Sequence, residues 1–263
     1  MDTFPFLDVE VDRFGYDGTE VLRDVRLRFD RPGLAALLGP NGSGKSTLLR
    51  IAAGLAREPG CRVRIHGKDL TRMGAREAAA LVAWVPQRAE AVFAMSVREM
   101  VRVGRFRAHG VGPARGAAGE EERIEAALES VGMLDLAHRD VDTLSGGEWQ
   151  RALIARAVAQ DTPVMLLDEP VASLDLRYQD EIYQLLRALA SQGRAILVAD
   201  HHIDLAACYC DRLLLLREGR IDADGPPSVL QEETIARVFG IRTAVFPDPV
   251  TGTPRVSRPR GRT

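Results

Sequence analysis

Polar and apolar positions along this chain follow two rhythms. Short apolar runs at 34–38, 63–65, 82–85, 164–167, 196–199 and 213–216 have the length of buried strands. Several are separated by stretches with helical spacing, and repeated strand–helix alternation argues for a parallel sheet. The run Leu34-Ala35-Ala36-Leu37-Leu38 ends in glycine, which predicts a buried strand feeding a loop, with a helix over 47–55 behind it. Ile182, Leu185, Leu186 and Leu189 fall at i, i+3, i+4 and i+7, which predicts an amphipathic helix over 176–191.

The middle of the chain is different. From about residue 88 to 159 no run reads as strand, and three helical patterns follow at 96–106, 120–131 and 146–159. In the second, Ile124, Leu128 and Val131 share one face while the glutamates point away, and Gly132 stands where a C-cap belongs. A glycine-rich link at 110–119 joins the first two. This stretch reads as a helical subdomain inserted into an α/β core made of 1–87 and 160–245. The remainder, 246–263, is a tail rich in proline, glycine and arginine, partly strand at best and disordered at its end. Arg98, Arg102 and Arg105 share one face of the first insert helix, which is either solvated or turned toward a partner or a membrane.

Composition narrows the classes. The 263 residues suffice for one large α/β domain, and a net charge of −2 gives no global attraction to nucleic acid. Aromatics that would stack bases are sparse near the arginine face. The three cysteines, Cys61, Cys208 and Cys210, read as reduced thiols used as small apolar residues. No apolar stretch approaches the ~20 residues needed to span a bilayer, and the start does not resemble a signal peptide. The expectation is a soluble protein that serves a membrane, if at all, through a partner.

The chemistry lies in five places. Gly39-Pro40-Asn41-Gly42-Ser43-Gly44-Lys45-Ser46, between a strand and a helix, fits the P-loop spacing. Its glycines let N–H groups turn inward on a phosphate, Lys45 supplies a charge to the β- and γ-oxygens, and Ser46 is placed to ligate Mg²⁺. The apolar run at 164–167 ends in Asp168 and Glu169; the first suits the Mg²⁺ shell and the second a general base for water. Gln87, after a strand, can accept from water and touch Mg²⁺, and so sense the γ-phosphate; His201 or His202, after another, can contact the γ-phosphate. Ser145, Gly146 and Gly147 open a helix and form a second anion site of different design, with no hydrolytic set of its own.

Together these residues resemble the ATP-binding cassette ATPases, over almost the whole chain. Gly39 to Thr47 looks like Walker A, Gln87 the Q-loop and 144–151 the signature motif. The stretch 164–170 looks like Walker B with its catalytic glutamate, 173–175 the D-loop with Asp175, and His201 the switch histidine, counted back from Leu205-Ala206-Ala207. Departures are His202 where many relatives carry aspartate, and Val171-Ala172 before the D-loop. The resemblance implies a P-loop NTPase (RecA-like) core with N-terminal antiparallel strands and an inserted helical subdomain. It also implies ATP and Mg²⁺ as cofactors, Tyr16 stacking on adenine, and a head-to-tail homodimer. Each ATP would lie between Walker A of one subunit and Ser145, Gly146 and Gly147 of the other.

The stretch Ser96-Val97-Arg98-Glu99-Met100-Val101-Arg102-Val103-Gly104-Arg105 is similar to importers of iron–siderophore complexes, haem and cobalamin. This implies an energy-coupling ATPase on the cytoplasmic face of the cell membrane, working with an integral-membrane permease and an extracytoplasmic substrate-binding protein. The alternatives are an ABC ATPase for another substrate class, one of non-transport type, or a nucleotide-binding module that no longer hydrolyses. A single cassette without a heptad run argues against the non-transport type, and the presence of Lys45, Glu169 and a switch histidine argues against the module that no longer hydrolyses.

Overall fold

One-sided alternation over residues 7–29 builds a strand pair before anything else. In β1 (Leu7–Tyr16) and β2 (Thr19–Phe29), Leu7, Val9, Val11, Leu22, Val25 and Leu27 are buried. The strands pair antiparallel around an Asp17-Gly18 turn, with Leu7 opposite Phe29. The chain continues through β3 (Gly33–Leu38), α1 (Lys45–Ala52), β4 (Cys61–Ile65), the short β5 (Lys68–Asp69), α2 (Ala75–Ala79) and β6 (Val82–Val85). Then come α3 (Val97–Ala108), α4 (Ala117–Ser130), α5 (Gly146–Gln160), β7 (Val164–Asp168), α6 (Leu176–Ser191) and β8 (Ala195–Ala199). The last elements are α7 (Ile203–Tyr209), β9 (Arg212–Arg217), β10 (Arg220–Gly225), α8 (Glu232–Phe239), β11 (Ala244–Pro247) and β12 (Pro254–Ser257). This computed structural model describes residues 5–87, 94–108 and 117–258. Most of the glycine-rich link and the end of the tail lie outside the described residues.

The central sheet has the order β10-β9-β3-β8-β7-β6, parallel throughout except for β10 at its edge. Its inner strands are apolar on both faces because both are covered, as all-parallel pairing requires. Strand alternation sorts the side chains between two cores. Leu34, Ala36, Met165, Leu167, Ile196 and Val198 face the helices on one side. Ala35, Leu37, Val164, Leu166 and Leu197 pack on the other against α1 and the antiparallel sheet. A fully buried leucine in either layer contributes about 1.5–3 kcal/mol.

Two expectations change here. β4 joins β1 in the antiparallel sheet, order β2-β1-β4-β5, and not the parallel one. Its sequence explains why: Cys61, Val63 and Ile65 are buried while Arg62 and Arg64 are exposed, the one-sided pattern of an antiparallel strand. The helix expected at 47–55 spans Lys45–Ala52, so Lys45 and Ser46 lie in its first turn, where N–H groups have no helical acceptor.

The inserted helices share the core of the sheet's helical face through Val97, Met100, Ile124, Leu128, Leu153 and Ile154. α4 ends as its sequence predicts: Gly132 N–H donates to Glu129 O and Met133 N–H to Leu128 O, closing the helix. The arginine face of α3 turns mostly inward: Arg105 is buried and Arg98 largely so, while Arg102 keeps 40% of its side chain exposed. Arg98 pairs with Glu121 and Glu125, Arg102 Nη2 donates to Glu121 Oε2 at 2.9 Å, and buried Arg105 donates to Ala159 O at 2.9 Å. These arginines bind α3 to α4 and α5, because spacing fixes which residues share a face but not what packs there. The segment read as tail forms the β11–β12 hairpin. Val256 N–H donates to Asp204 Oδ1 on α7 at 2.9 Å, and Val245 and Val256 pack against the helical core.

Candidate functional site

The phosphate-binding candidate is made where β3 stops and α1 begins. Leu38 ends the strand; Gly39 passes so close to β9 that a Cβ there would sit 2.2 Å from Leu216 O. Gly44 caps α1 at φ 104°, against Leu22, where a side chain would be both strained and blocked. The loop therefore turns tightly, and α1 presents its positive end, with no acidic residue in its first turn. Lys45 Nζ donates to the carbonyls of Gly39 at 2.8 Å and Pro40 at 3.1 Å, folding back over the loop. Burial lowers its pKa, against the upward pull of Glu169, Asp168 and Asp200.

A cleft of about 610 Å³ opens over this loop. Tyr16, Val21, Asn41, Gly42, Gly44, Lys45, Ser46, Thr47, Gln87, Glu169 and His201 line it, so residues far apart in sequence converge on one volume. Tyr16 stands edge-on to Phe14 with centroids 5.1 Å apart, leaving its own outer face open. Ser43 is buried behind the loop, and its Oγ has no protein partner among the described residues.

The carboxylates come from β7. Asp168 is 4% exposed; burial raises its pKa, a hydrogen bond from Ser46 opposes this, Glu169 adds to it, and Lys45 opposes it. Asp168 Oδ1 is buried without a hydrogen-bond partner. An unpaired anionic oxygen beside a serine hydroxyl is the donor set a hard divalent cation takes, so the residues present fit Mg²⁺. Glu169 follows with φ 48°, a left-handed backbone that costs a non-glycine residue about 1 kcal/mol or more, and its N–H is held by Ala199 O at 2.8 Å. That turn carries its carboxylate into the cleft, where Gln87 Nε2 donates to Oε2 at 2.7 Å and His201 Nδ1 stands 3.7 Å away.

The two histidines part company in space. His201 lines the cleft; His202 points its Nδ1 at Asp200 Oδ1, 2.7 Å away, and starts α7. Asp200 and Tyr183, which meet there, belong to no motif in the sequence. One signal was available: Asp200 ends an apolar strand just as Asp168 does.

Ser145, Gly146 and Gly147 do not reach this cleft. Ser145 N-caps α5, its Oγ accepting from Glu148 N–H at 3.3 Å while Glu148 Oε2 accepts from Ser145 N–H at 2.8 Å. Ser145 and Gly146 are exposed, and Gly147 abuts Leu174 and Ser173 of the following loop. Asp175 N-caps α6 through Tyr178 N–H at 3.1 Å. Ser145–Gly147 and Asp175 thus lie on neighbouring, outward-facing stretches, with no carboxylate–histidine set beside them among the described residues.

Comparison with known proteins returns a consistent pattern. The sequence profile of the ABC transporter family matches residues 22–172. A cobalamin import ATP-binding protein of Halobacterium salinarum is 42% identical over 253 residues, which cover 95% of this chain but 62% of that protein. The chain therefore spans less than two thirds of that relative. A hemin import ATP-binding protein of Pseudomonas entomophila is 41% identical over 257 residues, covering 95% of this chain and 98% of that protein. Among solved structures, a metal-chelate type ABC transporter in an inward-facing conformation superposes with a TM-score of 0.78 at 27% identity, covering 96% of each chain.

Proposed function

This chain belongs to the ABC transporter family, and from that membership we propose that it is the ATP-hydrolysing, energy-coupling subunit of an importer for iron–siderophore complexes, haem or cobalamin. One observation supports the reading above the others. Lys45, Ser46, Gln87, Glu169 and His201 share one cleft with buried Asp168 behind it, while Ser145, Gly146, Gly147 and Asp175 stand outside it, facing outward.

In this reading adenine lies against Tyr16, and the phosphates lie along the loop from Gly39 through Pro40, Asn41, Gly42, Ser43 and Gly44 to Thr47. Lys45 exchanges the Gly39 and Pro40 carbonyls for β- and γ-oxygens. Ser46, Asp168 and Gln87 would hold Mg²⁺, which when bound neutralises charge on the β- and γ-oxygens. Water attacks the γ-phosphorus in line with the leaving ADP oxygen, Glu169 takes its proton on a carboxylate oxygen, and His201 holds the γ-phosphate. A second copy of the chain brings Ser145, Gly146, Gly147 and Asp175 over the same phosphates, so ATP closes a homodimer and hydrolysis reopens it.

The power is delivered to a membrane partner, which places this subunit on the cytoplasmic face of the membrane beside a permease served by a substrate-binding protein. Among the described residues no helix is long and apolar enough to cross a membrane. The docking place is a groove of about 250 Å³ between core and inserted helices. Its apolar wall includes Trp84 and two outward-facing residues, Leu55 at 57% and Val103 at 40% exposure. Trp84 in the groove and Gln87 in the cleft are three residues apart, so one short segment joins the groove to the cleft. The arginines of α3 serve this indirectly, by holding the groove's helical wall together.

Hydrolysis by the purified full chain tests the core of the reading. Glu169→Gln is expected to lose at least about 100-fold in kcat while still binding ATP. Hydrolysis at the parent rate would remove Glu169 from its role. ATP-dependent uptake of haem, cobalamin and ferric siderophores into vesicles carrying the cognate permease then selects the cargo.

A further inference from the structure

A buried acid stands next to the candidate switch histidine without touching the cleft itself. Asp200 follows β8, is 0% exposed, and its N–H donates to Leu37 O at 3.1 Å, extending the strand that feeds the phosphate loop. A buried carboxylate is costly unless its oxygens are satisfied, and here they are. Oδ2 accepts from Tyr183 OH at 2.5 Å. Oδ1 accepts from the N–H groups of His201 at 2.6 Å and His202 at 3.0 Å, and meets His202 Nδ1 at 2.7 Å.

These bonds hold His201 from two directions. Its backbone is fixed by Asp200 directly. Its ring lies against the His202 ring, centroids 4.0 Å apart, and the His202 ring is fixed by the same carboxylate. Tyr183 belongs to α6, whose first turn is capped by Asp175, so the contact runs from the D-loop helix to the histidine beside Glu169.

We propose that Asp200 is a positioning residue that sets His201 against Glu169, tethering the loop after β8 to α6 through Tyr183 and His202. This rests on the reading of His201 as the γ-phosphate contact. The ligand atoms of Asp200, His201 and His202 lie within 4.8 Å of one another, which also suggests a cation site. The hydrogen bonds decide against it: Oδ1 already receives three N–H groups, and Nδ1 of His202 is occupied as the donor. Burial favours the neutral acid, yet the bonds from His202 and Tyr183 keep the Asp200 pKa below its ordinary value. The Asp200 bond raises that of His202.

The test is steady-state ATP hydrolysis by the full chain, with kcat and KM separated. Tyr183→Phe keeps the buried ring, and His202→Asn puts an amide nitrogen where Nδ1 stood. Tyr183→Phe and His202→Ala are expected to lower kcat between about 10- and 100-fold, because displacements near 1 Å act on that scale. KM for ATP should hold within about twofold. His202→Asn should recover most of the loss, and His202→Ala should add nothing in a His201→Ala background. Losses that multiply in the double variant, or an Asn variant as slow as the Ala variant, would overturn the tether. A slow His201→Ala beside an unaffected His202→Ala refutes the tether alone. An unaffected His201→Ala refutes the reading of His201, and the tether falls with it.

Discussion

The molecule contains two helix starts built from serine and glycine, at Gly44-Lys45-Ser46 and at Ser145-Gly146-Gly147, and they differ in nearly everything else. The first sits over a cleft, with a lysine folded onto the loop, a buried carboxylate with an unpaired oxygen, and a Glu169–Gln87–His201 group beside it. The second satisfies itself: Ser145 and Glu148 close a reciprocal cap, and among the described residues the exposed surface around it carries no hydrolytic set. One start opens onto a cleft with chemistry; the other is an exposed cap that faces no cleft of its own among the described residues. Their difference is what the proposed head-to-tail dimer needs: each start lacks what the other has, and in that reading a second copy supplies it.

The comparison breaks first at the lysine. Lys45→Ala removes the only lysine or arginine side chain lining the cleft among the described residues. It should abolish detectable hydrolysis and weaken ATP binding at least about 100-fold, as fluorescence titration with a labelled nucleotide would measure. Binding unchanged by that substitution would mean the cleft is not the nucleotide site.

The glycines give the next contrast. Gly39→Ala places a Cβ 2.2 Å from Leu216 O, so denaturant melts should show a loss of about 1–3 kcal/mol or more. Gly146→Ala meets nothing within 4 Å and should stay within about 0.5 kcal/mol of the parent. A smaller effect than that of Gly39→Ala is expected at Ser145→Ala, which deletes the cap of α5 and should cost about 1 kcal/mol in the same melts.

The smallest effect separates the two regions by pH. The pKa of Asp200 is lowered, so its stabilisation is present above the unfolded aspartate range near pH ~4 and is lost as pH falls through the folded value. The pKa of His202 is raised, so its share is full below about pH 6.5 and is lost as pH rises through its folded value. His202 is faced by Asp200, His201 and, at longer range, Glu169. Near the cleft, therefore, Tm should decline on both sides of this window. Glu148 at the α5 cap is lowered by its bonds to Ser145 and can act only on the acid side. Asp200→Asn should flatten the alkaline decline, and Glu148→Gln should leave it intact.

Much of this architecture is legible in the order of residues alone. The phosphate loop is contiguous, its spacing is tied to a mechanism, and the flanking strand and helix follow from apolar runs. The stripe Ile182, Leu186 and Leu189 marks out α6 over the same residues it occupies. What sequence hides is the identity of neighbours. The spacing of Arg98, Arg102 and Arg105 reveals a shared face but not the glutamates and carbonyl that meet it. The one-sided alternation of β4 is visible only when Cys61 and Arg62 are read with 63–65, and it does not by itself name β1 as the partner. Tyr183 and Asp200 meet across 17 positions with no periodic sign of it, and a proline-rich end conceals a hairpin that packs on α7.

The two-half account is tested most directly by the mass of the nucleotide-bound species. Glu169→Gln with ATP and Mg²⁺ should elute as a dimer, twice the 28.8 kDa of the chain, by light scattering. Adding Ser145→Arg, which touches no part of the cleft, should leave ATP bound and the chain a monomer. A double variant that still dimerises with ATP, or a Glu169→Gln chain that binds ATP and stays monomeric, would contradict the account.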